Sequence, residues 1–216
     1  MMKLEKRKYI FTVEGETEYL YLCWLQSLVN HNPNRNFQIE ISVKVQQHPM
    51  SYAKTLKGLY NTPVFHICDV EGESLNDIKR FHDVISELKE AKTQKKIPYQ
   101  LGYSNFSFEL WMVLHKTSCM QLLADKTCYL SLINKAYGTK FQSLRDYKQE
   151  KNFKSLLNLL NLNDVYKAIK NSKEIMNEKK ATNLKEMRAY KGFKYYLSNP
   201  AITLHEAVEL VLKECL

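Results

Sequence analysis

The sequence lacks the features that mark secreted and membrane-spanning proteins. No segment approaches the roughly 20 apolar residues that a membrane-spanning helix needs. The basic start MMKLEKRKY is followed by an apolar run that ends at Glu14, which is too short for a secretory signal peptide. The five cysteines contain no Cys-x-x-Cys pair and are odd in number, which argues against a disulfide framework or a zinc site. We therefore expect a soluble, cytoplasmic protein with reduced thiols.

Acidic residues are scarcer than basic ones. The chain of 216 residues has 23 Asp and Glu against 32 Lys and Arg, a formal net charge of +9, and it contains 14 Tyr. Such a composition is typical of proteins that bind polyanions, nucleic acids above all. A general excess of lysine without any such partner explains it equally well, so composition alone leaves both readings open.

The first half of the sequence alternates between two apolar periods. Apolar or alternating runs predict strands at residues 8–13, 37–45, 63–68 and 97–103. Runs with helical periodicity predict helices at residues 17–30, 51–60, 75–92 and 108–115. Strands and helices that alternate at these lengths predict βαβ units, and therefore an α/β fold with a mainly parallel sheet flanked by helices.

Strand patterns stop near residue 120, and the remainder is interpreted as helical. Between Lys148 and Tyr196 there are 12 Lys or Arg against 5 Asp or Glu. Aromatic residues are interleaved with them: Phe153, Tyr166, Tyr190, Phe193, Tyr195 and Tyr196. The lysines are expected to neutralise phosphates, while the aromatic rings either stack on unpaired bases or turn into the core.

The end of the chain predicts one more helix. A turn is expected at Asn199-Pro200, and Thr203 with Glu206 predicts a capping box at the start of the last helix. We predict an α/β core at residues 1–118, and no repeat or Gly/Ser linker separates it from the residues that follow. A basic, mainly helical region at residues 119–216 would pack on that core without forming an independent domain.

Carboxylates follow two of the predicted strands. Glu14 ends the first strand, and Asp69 and Glu71 follow the third. Functional side chains gather beyond the carboxyl ends of parallel strands, and residues i and i+2 of an extended segment share a face. Three carboxylates placed in this way suit Mg²⁺, which prefers oxygen ligands. The alternative is that strand-end acids belong to loops or helix starts, which we favour for Glu16, Glu18 and Glu73.

A third cluster lies in the stretch GYSNFSFELWMVLH at residues 102–115. Glu109 sits among apolar neighbours, where a carboxylate is costly unless it is paired or bound to a metal. His115 is six positions further on and does not share a helical face with Glu109. On its own pattern, His115 is better explained as a structural histidine.

Together these stretches resemble the RloB-like family, whose members carry a TOPRIM-like core. The matching segments are VEGETE (13–18), YNTPVFHICDVEGE (60–73), YSNFSFELWMVLH (103–115) and NPAITLHEAVELVL (199–212). The resemblance implies acid–base chemistry for Glu14 and Mg²⁺ or Mn²⁺ binding by Asp69 and Glu71, with Glu14 also among the ligands. Its third motif implies that Asn105, Glu109 and His115 are catalytic, with Glu109 as a further metal ligand.

The resemblance also implies a function. Such proteins occur beside ATPases in bacterial restriction and phage-defence loci, so we expect a metal-dependent nuclease that acts on DNA or RNA in abortive infection. An ATPase partner of the AAA or ABC type and a homodimer are further expectations. Two departures from the family pattern stand out: the acidic pair is Asp69-Val70-Glu71 instead of Asp-x-Asp, and Phe106 replaces a proline.

Two other functions stay open at this stage. One is a non-catalytic subunit that binds nucleic acid or regulates a partner ATPase. The other is nucleotidyl transfer, as in TOPRIM primases, although the sequence offers no extra domain for template and nucleotides.

Overall fold

The computed structural model describes residues 4–56, 62–182 and 184–216. The first half forms the predicted alternation, with helices α1 (Glu16–Asn30), α2 (Pro49–Ala53), α3 (Leu75–Gln94) and α4 (Glu109–Lys116). Its strands are β1 (Lys6–Val13), β2 (Gln38–Val45), β3 (Val64–Asp69) and β4 (Tyr99–Asn105). The helix predicted at residues 51–60 is α2, which ends earlier, and residues 57–61 lie outside the described part.

Within the described residues, the second half adds five helices and three short strands. The helices are α5 (Cys128–Tyr137), α6 (Leu144–Tyr147), α7 (Glu150–Leu157), α8 (Leu162–Thr182) and α9 (Leu204–Cys215), with a single 3-10 turn at Leu184–Glu186. The strands are β5 (Met187–Tyr190), β6 (Phe193–Tyr196) and β7 (Ala201–Ile202). The prediction that no strand follows residue 120 was therefore wrong.

The central sheet has the order β2-β1-β3-β4-β7. Its first four strands are parallel, and β7 pairs antiparallel with the end of β4 at Ser104 and Asn105. This confirms the α/β class and the mainly parallel sheet. The carboxyl ends of β1, β3 and β4 lie side by side, so the segments that follow them meet at one edge.

Helices cover both faces of the sheet because the strands alternate their side chains. Tyr9, Phe11 and Val13 point into a core formed with α1, α4, α8 and α9. Ile10 and Val64 point to the other face, against α2 and α3. Residues from both sides of the predicted boundary at 118/119 share the first core, while the boundary itself stays a prediction.

The β5–β6 hairpin is the main feature that the sequence interpretation missed. Its turn is Lys191-Gly192, with φ of 48° and 92°. Two consecutive residues with positive φ make the turn type that matches the twist of a two-stranded hairpin, and glycine adopts it without strain. A Lys-Gly pair between Tyr190 and Phe193 was therefore a readable turn signal.

The start of α9 also differs from the prediction. The Thr203 hydroxyl does not cap the helix. It accepts a hydrogen bond from the Tyr103 amide at 3.1 Å and donates to the Leu101 carbonyl at 3.4 Å, which ties α9 to β4. Gly102 permits this approach, since a Cβ there would lie 3.3 Å from the Leu204 Cα. The predicted capping box between Thr203 and Glu206 was wrong.

Candidate functional site

Glu14 and Asp69 meet where β1 and β3 end. The Asp69 amide donates a hydrogen bond to Glu14 Oε2 at 3.0 Å. Burial raises the pKa of Glu14 to about 7; the Asp69 amide opposes this rise, and the charges of Glu18 and Glu71 add to it. Glu14 therefore changes its charge close to neutral pH when no cation is bound.

Asp69 lies in the most crowded part of the cluster. Burial is the main reason that its pKa lies well above the usual range, and the nearby carboxylates of Glu18, Glu14, Glu109 and Glu71 add to the shift. Carboxyl groups that raise one another's pKa hold more negative charge than their surroundings neutralise. Glu14 and Asp69, when ionised, are thus complementary to a cation.

Glu71 reaches the cluster by a different route from the one predicted. Its φ of 68° is in the left-handed region, so the i, i+2 rule for extended chains does not apply to Asp69 and Glu71. The Glu71 amide donates to the Phe106 carbonyl at 2.9 Å. Its carboxylate forms an ion pair with Lys126 at 2.6 Å.

Glu18 is a site residue that the sequence interpretation assigned to the helix start. It is buried in the first turn of α1 and accepts a hydrogen bond from the Thr17 hydroxyl at 2.9 Å. Burial raises its pKa, and the Glu109 charge adds to the rise. Gly15 makes room for it, because a Cβ there would lie 3.0 Å from Glu18 Oε2. The signal was in VEGETE, where Glu18 is the third Glu, four residues after Glu14, and a glycine directly follows Glu14.

Glu109 opens α4 and is fully buried. The Ser107 hydroxyl donates to its Oε2 at 2.6 Å, and Lys148 Nζ lies 2.9 Å from its Oε1. Burial lowers the pKa of Lys148, but the carboxylates of Glu109, Asp69 and Glu18 together outweigh this, and the net shift is upward. Glu109 thus has a cationic partner, which is the structural alternative considered for it, while its charge still acts on Asp69 and Glu18.

Two adjoining cavities share the carboxylate wall. One of about 290 Å³ extends toward α3 and is lined by Asp77, Arg80 and Phe81. The other, of about 260 Å³, extends toward α1 and is lined by Glu18 and Lys148. Both are lined by Glu14, Gln47, Asp69 and Glu71. The carboxylates therefore form the floor of one open cleft, which we call the carboxylate cleft.

The carboxylate cleft also contains cations that the sequence interpretation did not assign to it. Lys126 and Lys148 lie in the helical second half, and both side chains are about half-exposed while they contact Glu71 and Glu109. Arg80 on α3 is paired with Asp77 at 2.5 Å. Lys126 and Lys148 lie far from Glu71 and Asp69 along the chain, so no local pattern connected them with the acidic motif.

A second set of donors lies behind Glu14. Ligand atoms of Glu14, His66 and Cys68 come within 4.8 Å of one another. Within the described residues this is the group of three that comes close enough to share an ion, and the four predicted metal ligands are more widely spaced. His66 is fully buried, its Nδ1 is 2.8 Å from Thr12 Oγ1, and burial lowers its pKa to about 3. A mixed N, S and O set suits Zn²⁺ better than Mg²⁺.

Asn105 and His115 make other contacts. The Asn105 amide donates to the backbone carbonyls of Tyr196 and Leu197, which holds the hairpin beside β4. His115 is buried between Tyr21 and Trp111, with Nε2 3.1 Å from the Tyr21 hydroxyl and Nδ1 2.8 Å from the Trp111 carbonyl. Burial lowers its pKa to about 4. Among the described residues, neither lines the carboxylate cleft.

The carboxylate cleft offers the ligand type that a hard divalent cation prefers, although no three of its described carboxylates lie close enough together to share an ion as they stand. Glu14, Glu18, Asp69 and Glu71 offer only oxygen ligands, which Mg²⁺ and Mn²⁺ prefer. Burial is the main cause of the raised pKa values of Glu14, Glu18 and Asp69, and the charges of neighbouring carboxylates raise them further. The nearest lysines are already paired with Glu71 and Glu109.

Comparison with known proteins supports the family resemblance. The family described as RloB-like protein matches residues 9–211, which is nearly the whole chain. No curated protein and no solved structure matches the chain significantly. No helix in the described ranges is both long and apolar enough to cross a membrane. The chain belongs to the RloB-like family.

Proposed function

We propose that this RloB-like protein is a metal-dependent nuclease that hydrolyses phosphodiester bonds of DNA or RNA in bacterial defence against phage. The observation that carries the proposal is the convergence of Glu14, Glu18, Asp69 and Glu71 in a cleft bordered by Lys126 and Lys148. The defence role rests on the family, whose members occur in restriction and phage-defence loci.

Different residues of the chain would bind the metal ion, transfer the proton and contact the phosphates in the proposed hydrolysis. Glu14, Asp69 and Glu71, with Glu18, would hold Mg²⁺ or Mn²⁺. When bound, such an ion supplies neutralisation of the scissile phosphate and a more acidic water. Glu14, whose pKa is about 7 in the cation-free protein, would accept or donate the proton. Lys126 and Lys148 would contact the flanking phosphates with their half-exposed ammonium groups.

The direct test is cleavage of DNA and of total RNA with Mg²⁺ or Mn²⁺, repeated with EDTA. We expect metal-dependent cleavage that Glu14→Gln and Asp69→Asn abolish. Glu90→Gln on the exposed face of α3 makes the same charge change away from the cleft and should retain cleavage. Intact substrates under all conditions, including the presence of a partner ATPase, would refute the proposal.

A second candidate is a non-catalytic subunit that binds nucleic acid or regulates an ATPase. The ion pairs Lys126–Glu71 and Lys148–Glu109 favour it, because a lysine can take the place of a lost metal ion. This candidate predicts salt-sensitive nucleic-acid binding that survives Glu14→Gln and Asp69→Asn, without cleavage. The same protein preparations therefore decide between the two functions.

A further inference from the structure

A third cavity lies at the opposite side of the β4 end from Glu14. It has a volume of about 460 Å³, within the range of small-molecule sites. It is bounded by β4, α8, the β5–β6 hairpin and the start of α9. Its polar lining residues include Lys173, Lys180, Lys194, Tyr196, His205 and Glu206. We call it the α9 pocket.

Two buried polar atoms of the α9 pocket have no partner. Tyr196 Oη and His205 Nδ1 make no hydrogen bond within the described residues, and the two side chains are only 2% and 5% exposed. A buried hydroxyl without a partner costs free energy, so native proteins seldom leave one unsatisfied. Burial lowers the pKa of His205 to about 4, which keeps its ring neutral. Both side chains line the α9 pocket, where a bound ligand would supply the missing hydrogen-bond partner.

The charges around these atoms favour an anionic group. The α9 helix of 12 residues begins at the pocket, and its N-terminus carries the positive end of the helix dipole. Since the Thr203 hydroxyl is engaged with β4, it does not cap the helix. Lys180 and Lys194 line the pocket and form no ion pair with any described residue. Lys173 is neutralised by Glu209 at 2.5 Å.

Glu206 restricts the kinds of ligand that the α9 pocket can bind. It lines the same pocket, and burial raises its pKa. A carboxyl group beside a bare inorganic anion is unfavourable, but it can accept a hydrogen bond from a ribose hydroxyl or a base amino group. A ligand with a phosphate at one end and hydroxyl or amino donors at the other satisfies both parts of the pocket. A nucleotide has that chemistry.

One layer of side chains separates the α9 pocket from the carboxylate cleft. Phe81 lines the cleft, and its ring centroid is 5.0 Å from that of Tyr195 and 6.1 Å from that of Tyr103. Tyr195 and Tyr103 line the α9 pocket on the other side. The two sites are neighbours, yet they share no residue.

We propose that the α9 pocket binds a nucleotide, with its phosphate at the N-terminus of α9 near Lys180, Lys194, Tyr196 Oη and His205. The nucleotide could come from two sources with the same chemistry: a free mononucleotide, or one residue of a single-stranded nucleic acid that also reaches the carboxylate cleft. The proposal stands without the nuclease function, because it uses none of the cleft residues.

Tyr196→Phe is the sharpest variant. It removes only a hydroxyl group that has no protein partner, so a purely structural role predicts an unchanged or higher melting temperature and no effect on ligands. The proposal predicts the same stability together with about a tenfold weaker nucleotide affinity, the loss expected for one hydrogen bond to a charged group. The double variant Lys180→Ala/Lys194→Ala should lose at least as much. Lys135→Ala/Lys140→Ala, which removes two exposed lysines at α5, is the charge-matched control.

Calorimetric titration should use inorganic phosphate, AMP, GMP and a single-stranded oligonucleotide of about 12 residues. We expect the nucleotides to bind more tightly than phosphate, and the control variant to bind like the wild type. Saturable mononucleotide binding identifies a free nucleotide, and oligonucleotide binding that these variants weaken without mononucleotide binding identifies a strand. The proposal is wrong if neither ligand binds, or if Tyr196→Phe and Lys180→Ala/Lys194→Ala bind like the control. Cleavage assays with Glu14→Gln report separately on the carboxylate cleft.

Discussion

At the scale of single residues, the main feature of the carboxylate cleft is that several buried carboxyl groups lie close together. Glu14, Glu18 and Asp69 are brought together by the ends of two strands and the first turn of a helix, and each has a raised pKa for which burial is the main cause. Such a cluster is stable without a cation only while some of its carboxyl groups keep their protons. Proton binding and metal binding should therefore compete.

This competition makes stability depend on pH. Glu14 has a pKa of about 7 in the folded protein against an ordinary 4.5, so between these values the folded chain holds a proton that the unfolded chain has lost. The free energy of unfolding of the metal-free protein should therefore fall as pH rises through this window. Mg²⁺ should raise the melting temperature more at about pH 8 than at about pH 6. Thermal melts in EDTA and in Mg²⁺ at both pH values test this, and Glu14→Gln should flatten both dependences.

Asp69→Asn separates a metal ligand from a structural acid. Because burial and the neighbouring carboxylates raise the pKa of Asp69 and so disfavour its charged form, a neutral amide should be tolerated there. We expect unchanged or slightly higher stability in EDTA, and loss of the rise in melting temperature that Mg²⁺ causes. A marked drop in stability in EDTA would instead indicate that Asp69 has a structural hydrogen-bonding role.

At the scale of secondary-structure elements, the ion pair between Lys148 and Glu109 is one of those that connect the two halves of the chain. Glu109 at the start of α4 is fully buried, whereas Lys148 after α6 has a side chain that is 45% exposed. Removing either partner leaves the other unpaired, but water can reach only the lysine. The two single replacements should therefore differ in their cost.

Lys148→Met leaves the Glu109 carboxylate buried with the Ser107 hydroxyl as its partner, and should cost about 3 kcal/mol of unfolding free energy. Glu109→Gln keeps that hydrogen bond and leaves a lysine that water can hydrate, so about 1 kcal/mol is expected. The double variant should regain most of the larger loss. Urea denaturation of the four proteins measures this cycle.

If Glu109→Gln is folded, binds nucleic acid and fails to cleave it, Glu109 also belongs to the catalytic site; an unfolded Glu109→Gln protein would contradict both expectations.

The β5–β6 hairpin can be tested at its turn. Gly192 has a φ of 92° and open space around it, so Gly192→Ala adds backbone strain without a clash and should cost about 1 kcal/mol. Lys191→Gly, which introduces a glycine at the neighbouring position of positive φ, should alter the free energy of unfolding by less than about 0.5 kcal/mol. Equal effects of the two variants on the denaturation midpoint would argue against this turn.

The elements also show where sequence reasoning ended. Long periodic runs such as residues 75–92 predicted α3 correctly, because a wide apolar face leaves no alternative. The two-residue strand β7 is too short to have a period, and its pairing with β4 depends on the tertiary structure. Glu14 and Asp69 could be placed from the parallel sheet alone. Lys126 and Lys148 could not, since their positions depend on how the second half folds over the strand ends.

At the scale of the whole molecule, a strongly basic chain encloses an acidic cleft. The net charge of +9 favours a polyanion over most of the surface, while the ionised carboxylates of the cleft repel phosphates locally. A divalent cation would remove that repulsion where cleavage is proposed. Overall attraction and local repulsion should therefore be separable by pH and salt.

Nucleic-acid affinity in EDTA should report on this balance. As pH rises from about 6 to about 8, Glu14 loses its proton and the wild type should bind an oligonucleotide more weakly, with Mg²⁺ or Ca²⁺ restoring the affinity. Glu14→Gln should bind more tightly than the wild type at the higher pH and equally at the lower one. Raising the salt from about 0.05 M to about 0.3 M shortens the Debye length and should reduce the difference between the two proteins. Fluorescence anisotropy measures each affinity. If the wild type and Glu14→Gln lose affinity in parallel with pH, the cleft does not face the bound strand, and the basic surface alone accounts for binding.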